Sequence, residues 1–171
     1  IYGAIGEKKV VDTLKQLSDD FYLINDFSVS FSPPIYFPKI ESSIASIQID
    51  HLLISPSGIF IIETKNWTQR SLNDVNMRSP VDQIKRFSYA VYRLVNKLVE
   101  NQSIRLDSHH WGNKSIPVRN LIVMTGAKPT NDFEYVKILT AEELVGYVNY
   151  FKPIFSSHEV ESIYKYFKGM L

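Results

Sequence analysis

Asp50, Glu63 and Lys65 are the residues of this chain whose types and spacing point to chemistry. Ile47 to Ile54 and Ile59 to Lys65 are rich in β-branched residues and flank Ser55-Pro56-Ser57-Gly58, where Pro and Gly stand at turn-favouring positions. That pattern predicts a β-hairpin. In an antiparallel pair, opposed positions have a constant sum, and a turn centred between Pro56 and Ser57 sets Asp50 against Glu63. Lys65 lies two residues on, on the same face. Two carboxylates and an amine are thereby gathered at one end of the hairpin.

The same face runs on through Leu52, Ile54, Ile59 and Ile61, and the other face is read as Ile49, Leu53, Phe60 and Ile62. A strand pair apolar on both sides belongs between two layers of helices. Facing carboxylates at the mouth of such a core repel and resist desolvation unless a cation neutralises them. Oxygen ligands without thiolates favour a hard ion, Mg²⁺ or Mn²⁺, with Asp50 and Glu63 as ligands. Such a site suits phosphodiester hydrolysis: an ion to polarise the phosphate and activate water, and Lys65 beside the nucleophile or the developing charge. Glu-x-Lys alone is weak, since an exposed pair has the same spelling. The register and the apolar surroundings give it weight.

Gly3 to Leu17 carries an apolar stripe of Ala4, Ile5, Val10, Val11, Leu14 and Leu17, predicting a helix. Phe21 to Phe27 reads as a strand, and the proline- and serine-rich stretch from Ser28 to Ser46 as an irregular excursion or a weak edge hairpin. Trp67 to Ser79 reads as polar loop. Pro80 marks the start of a long helix to about Glu100, with Val81, Ile84, Phe87, Val91, Leu94, Val95 and Leu98 as its apolar stripe. After a second polar loop, Val118 to Thr125 has the continuous apolar character of a central strand. Tyr135 to Leu139 reads as a short strand, and capping boxes at Thr140 to Glu143 and Ser156 to Glu159 open two helices.

Gly3-Ala4-Ile5-Gly6-Glu7, then Gln48-Ile49-Asp50-His51, then Gly58 to Asn66, then Pro80 with Gln83, resembles the nuclease-related domain family. That family is in turn similar to the PD-(D/E)xK, restriction-endonuclease-like superfamily. The resemblance runs in order from Gly3 to about Leu98, and Val118 to Val148 suits the remaining strand, strand and helix. It implies a three-layer α/β/α fold on a mixed sheet, metal binding by Asp50 and Glu63, Lys65 as the catalytic lysine, and Glu7 and Gln83 approaching from flanking helices. Superfamily exonucleases often show Gln-x-x-x-Tyr on that helix. Here Gln83 is followed by Phe87, which leaves the role of Gln83 open.

On the residues alone, Glu7 stands off the apolar stripe of its helix, where a solvated glutamate would serve equally. Gln83, Arg86, Arg93 and Lys97 form a stripe with Ala90 between them, which reads either as a solvated face or as a track for a nucleic-acid backbone. His51 points away from Asp50 and reads as a satisfied core histidine rather than a catalyst. His109 and His110, beside Trp111, read as loop residues. Tyr89, Tyr92, Tyr147, Tyr150 and Phe151 recur near helical spacing and read as packing residues.

The 171 residues are 44% hydrophobic and 22% charged, which fits one globular domain, 1–171, with no repeat to divide it. No cysteine is present, so disulfides, thiolate metal sites and a cysteine nucleophile are excluded, and a reducing cytoplasm is compatible. No apolar run is long enough to span a membrane. The chain starts at Ile1 rather than at methionine and without a signal-like segment, which reads as part of a longer protein with further domains or a homo-oligomer in view. A net charge of +1 leaves nucleic-acid binding to local charge placement. The expected activity is Mg²⁺-dependent DNA hydrolysis. Its rivals are a module on the same fold that binds nucleic acid or protein without cutting, and an RNA-directed or structure-selective nuclease.

Overall fold

The computed structural model describes residues 2–74, 76–107 and 115–171. Five strands form one sheet in chain order: β1 Tyr22–Phe37, β2 Ser42–Ser55, β3 Gly58–Lys65, β4 Val118–Met124 and β5 Val136–Thr140. The first three are antiparallel, and β3, β4 and β5 run parallel, so the sheet is mixed. One face is covered by α1 Tyr2–Leu14 and α4 Ala141–Tyr150, the other by α3 Arg78–Glu100 and α5 Ser157–Lys168. This is the three-layer α/β/α architecture, with each sheet face burying its own cluster.

The hairpin register is the expected one: Leu52 pairs with Ile61, Ile54 with Ile59 and Ser55 with Gly58. Its turn is buried and tied down from three sides. Ser55 Oγ donates to the Gly58 carbonyl at 2.7 Å, the Ser57 amide donates to Ser55 Oγ at 3.2 Å, and the Ile154 and Phe155 amides both donate to the Pro56 carbonyl. Ile54, Ile59 and Ile61 pack with Val81, Ile84 and Ile163, while Leu53, Phe60 and Ile62 pack with Val10, Leu14 and Leu144. β4 is interior, between β3 and β5, and buried on both faces.

Three expectations are corrected, and one left open between two readings is decided. Ile49 joins the cluster of Leu52 and Ile54 instead of lying opposite them. Asn25 pairs with His51 and Phe27 with Ile49, but Asp26, at φ 53°, interrupts the alternation between them and turns the faces over. Of the two readings of Ser28 to Ser46 the edge hairpin holds and the irregular excursion does not: β1 and β2 continue through it, shifting register between Ser30 and Ile35 and closing on a 3-10 turn at Pro38–Ile40. The stretch from Trp67 contains a short helix, α2 Gln69–Asp74, started by the Ser71 amide donating to Thr68 Oγ1 at 3.1 Å. Helix α1 stops at Leu14, and its first turn lies outside the core, with Ile5 57% exposed.

α3 begins at Arg78, so Pro80 sits in the first turn, where a missing N–H costs no intrahelical bond. Because β3 and β4 are parallel, α3 must cross back over the sheet, which puts its first turns at the carboxyl end of β3. Both capping boxes form: Glu143 and Ser156-Glu159 close on the backbone at the starts of α4 and α5. No helix among the described residues is long and apolar enough to cross a membrane.

Gly58 has φ 128°, and a Cβ there would sit 2.6 Å from the Pro117 carbonyl oxygen that accepts from the Ile59 amide. Gly58→Ala is therefore expected to cost about 2 kcal/mol or more, lowering the melting temperature by roughly 4–8 °C. A calorimetric scan that matches the parent would show that the turn does not need glycine.

Candidate active site

At the open end of the β2–β3 pair the two strands stop bonding through their backbones and bond through carboxylates. The Thr64 amide donates to Asp50 Oδ2 at 2.9 Å, and the Asp50 amide donates to Glu63 Oε1 at 3.4 Å. Each acid takes an N–H that strand pairing would otherwise have satisfied. Asp50 is half-buried and Glu63 is 8% exposed, as expected for charged groups at the mouth of an apolar layer.

Burial, and then the charge of Asp50, push the Glu63 carboxyl up to about 8, with Lys65 acting weakly the other way. Glu63 thus holds its proton well above the pH at which a solvated glutamate loses it. The Asp50, Glu63 and Lys65 groups come together as the register required. Among the described residues Lys65 forms no ion pair, so its ammonium is uncommitted beside the two acids.

His51 is buried on the other face and satisfied at both nitrogens. Asn25 Oδ1 lies 2.7 Å from Nδ1 and Thr64 Oγ1 lies 3.2 Å from Nε2. An amide oxygen only accepts, so Nδ1 carries the hydrogen and Nε2 accepts from the threonine hydroxyl. Burial holds this imidazole below its ordinary value. The chain Asn25–His51–Thr64 fixes the residue whose amide grips Asp50, so His51 supports the site through Thr64.

Glu7 reaches the site because α1 comes close to the sheet at Gly6. A Cβ on Gly6 would lie 2.9 Å from Thr125 Oγ1 and 3.2 Å from Thr64 Cγ2. Burial and the charges of Asp50 and Asp26 raise the Glu7 carboxyl, which places Glu7 within electrostatic reach of both. Asp26 is the site residue that the sequence reading lacked. Its signal was present, since Asn25-Asp26 inside a strand is a pair that strands disfavour and bulges accept.

Gln83 is exposed on α3 and makes no hydrogen bond to Asp50, Glu63 or Lys65 among the described residues. It lines a cavity with Asp82 and Arg86 instead. The stripe on α3 is not one face. Ala90 is fully buried, Arg86 donates to the Ser43 carbonyl at 2.7 Å, and Arg93 and Lys97 line a different cavity against the β1 arm. The stripe splits where Tyr89 stacks on Phe37, centroids 4.1 Å apart. Phe151 packs on Phe60 and Tyr147, with the Arg119 guanidinium 3.9 Å above its ring, whereas Tyr150 is 82% exposed. His109, His110 and Trp111 lie outside the described residues.

Among the described residues no set of three or more carboxylate or imidazole groups is placed to hold an ion alone. Asp50 and Glu63, whose side chains meet across the strand ends at the edge of a core, make a smaller set of oxygen donors. That donor set fits a hard divalent cation which keeps several waters and takes its other ligands from substrate phosphate.

The family model of the nuclease-related domain matches residues 2–125, from α1 through β4 and one residue beyond. The chain belongs to the nuclease-related domain family. No curated protein matches it. The matched residues include Glu7, Asp50, Glu63, Lys65 and Gln83, and the restriction-endonuclease-like architecture described above agrees with that membership.

In this nuclease-related domain, Glu63 makes the metal-free fold pH-dependent. Its folded carboxyl keeps a proton up to about pH 8, and the unfolded chain releases it near the ordinary glutamate value, so stability falls as pH rises between them. His51 acts oppositely below about pH 6.5, because its neutral form is the folded one, and drops out above. In EDTA, urea midpoints should therefore decrease from about pH 6.5 to 8, and Glu63→Gln should flatten that decline. Equal midpoints across the window for the parent would contradict the protonated Glu63.

Proposed function

We propose that this nuclease-related domain hydrolyses DNA phosphodiester bonds with a divalent cation, Mg²⁺ or Mn²⁺, held by Asp50 and Glu63. The observation that carries the proposal is the convergence of two carboxylates and an uncommitted lysine at the mouth of an apolar core. When bound, the cation supplies a Lewis acid for the phosphate and lowers the pKa of an attacking water.

The protein's own groups do the rest. Thr64, fixed by His51 and Asn25, holds the Asp50 carboxylate at one orientation through its amide. Glu63 would serve as the second oxygen ligand in its carboxylate form, its proton passing to solvent. Lys65 orients the water by hydrogen bonding and places positive charge next to the phosphate oxygens that gain charge at the transition state. Glu7 and Asp26 add negative charge around the water and favour its deprotonation, and Gln83 supports substrate from the first turns of α3. Arg93 and Lys97, both exposed, are available for backbone phosphates further along. We treat residues 1–171 as one working domain, with β5, α4 and α5 completing the sheet and its covering layer, and we assign it to the cytoplasm, where a chain without cysteine is at no disadvantage.

The test is cleavage of labelled linear, nicked and single-stranded DNA, and of RNA, with Mg²⁺ or Mn²⁺ against EDTA. Metal-dependent cutting is expected, falling at least about 100-fold in Lys65→Ala. A folded protein that binds DNA without cutting it under any of these conditions would make the domain a binding module, and cutting restricted to RNA would move the substrate class.

A further inference from the structure

A second feature of the α3 side of the sheet is not used by the chemistry above. A cavity of about 770 Å³ opens between α3, the tip of the β1–β2 arm and the start of β5. Its walls are mostly apolar and aromatic: Phe37 and Tyr89, stacked on each other, make one side, while Tyr92 and Tyr135 stand at the mouth, 47% and 70% exposed. Large rings left in water at a concave site are unusual in a chain that has a well-filled core.

Tyr135 is also held in a conformation that costs free energy for any residue with a Cβ, at φ 65°. Asn120, which is 7% exposed at the cavity floor, fixes it there by donating from Nδ2 to the Tyr135 carbonyl at 3.0 Å. Asn120 Oδ1 is buried and without a hydrogen-bond partner. Two costs, one of strain and one of an orphaned acceptor, are thus met at the point that turns the Tyr135 ring outward.

Charges of both signs surround this mouth, with the cations on the arm and on α3. Lys39 places its Nζ 5.8 Å from the Tyr135 centroid, Lys85 and Arg86 line the α3 side, and Asp82 is the carboxylate facing them. The neighbouring Glu134 carboxylate raises the Tyr135 hydroxyl above its ordinary value. Arg86 is spent on tying the arm to α3 through Ser42 and Ser43, so Lys39 and Lys85 are the cations left for a ligand.

We propose that this cavity is a subsite for single-stranded nucleic acid, with unpaired bases laid against Tyr92 and Tyr135 and the backbone phosphates facing Lys39 and Lys85. Ring faces flanked by lysines match unstacked bases joined by phosphates; the bases of a duplex are stacked on one another and offer no face. The position fits a substrate path. Asn120 is two residues before Ile122, the parallel partner of Glu63, so the cavity floor lies about 8 Å from Glu63 at the backbone on the same face of the sheet. Gln83, near the start of α3, lines the cavity at the end closer to the acids. The inference rests on reading the site as one that handles nucleic acid, and it narrows the substrate to strands or to duplexes with single-stranded portions.

The experiment is fluorescence anisotropy of a labelled oligothymidylate, an oligouridylate and a blunt duplex in EDTA, with the full chain. The single strands should bind more tightly than the duplex. Tyr92→Ala with Tyr135→Ala, both exposed positions, should weaken strand binding by about 5- to 100-fold while leaving the far-ultraviolet circular dichroism of the parent. Tyr135→Phe, which keeps the ring, should bind as the parent does. Lys39→Ala should make binding less salt-dependent by about one phosphate contact. A folded double variant that binds strands like the parent, or a duplex bound as tightly as the strands, overturns the subsite. Loss of cutting in Lys65→Ala with strand binding retained supports both readings. Tyrosine-dependent strand binding by a protein that cuts nothing keeps this inference and removes the nuclease.

Discussion

The β2–β3 pair is apolar on both faces along its length, yet two carboxylates occupy the end where it opens. An isolated charge could not be held there without a partner, and two like charges are worse. The fold answers in two ways. Backbone amides of Asp50 and Thr64 are turned into donors for the acids, and one acid keeps a proton. Neither answer would be needed if the acids lay a few residues further along in solvent. Their position follows from the sheet, because the apolar residues of Leu52 to Ile62 must face two helical layers, and the polar residues are left at the strand ends.

That arrangement depends on contacts far from the acids. Gly58 lets the hairpin turn pass under the Pro117 carbonyl, and the linker amides of Ile154 and Phe155 cap the same turn from the other end of the chain. A slip of one residue at this turn would exchange the faces of β3, sending Glu63 to the α1 side of the sheet and Thr64 to the α3 side. The residues beyond the matched 2–125 thereby take part in setting the register on which the acids depend. Gly6 acts similarly at the upper end, where absence of a Cβ allows α1 to close on Thr64 and Thr125 and to deliver Glu7.

The elements that sequence showed clearly are those in which one periodicity runs unbroken. The hairpin, α3, β4 and the two capped helices are of this kind, because burial on a fixed face leaves a repeating mark. Asp50, Glu63 and Lys65 could be placed for the same reason: a register carries side chains with it. What escaped was where periodicity breaks. Asp26 reverses the alternation with a single left-handed residue, so Ile49 changed sides, and the prolines between Ser28 and Ser46, which ordinarily end strands, left the arm undecided between an edge hairpin and an irregular excursion. The division of the α3 stripe escaped because a helix projected on its own axis does not know its neighbours; it took Phe37, from a strand arm bending back, to separate Arg86 from Arg93.

The arm connects the two sites physically. It leaves the sheet at the Asp26 irregularity, beside the acids, and returns its tip to α3 at Arg86, where it becomes a wall of the aromatic cavity. The left-handed residue that brings a fourth carboxylate close to Glu7 and Asp50 is also the one that turns the arm's apolar face, Phe27 and Ile49, onto the α3 and α5 layer. A strand that kept its alternation through Asp26 would carry those residues to the opposite face, leave α3 without a cover and leave Tyr89 without Phe37 to stack on. One backbone conformation thus shapes the acid site and the cavity wall together. A substitution at Asp26 acts on both, unlike substitutions at Lys65 or Tyr135, each of which acts on one.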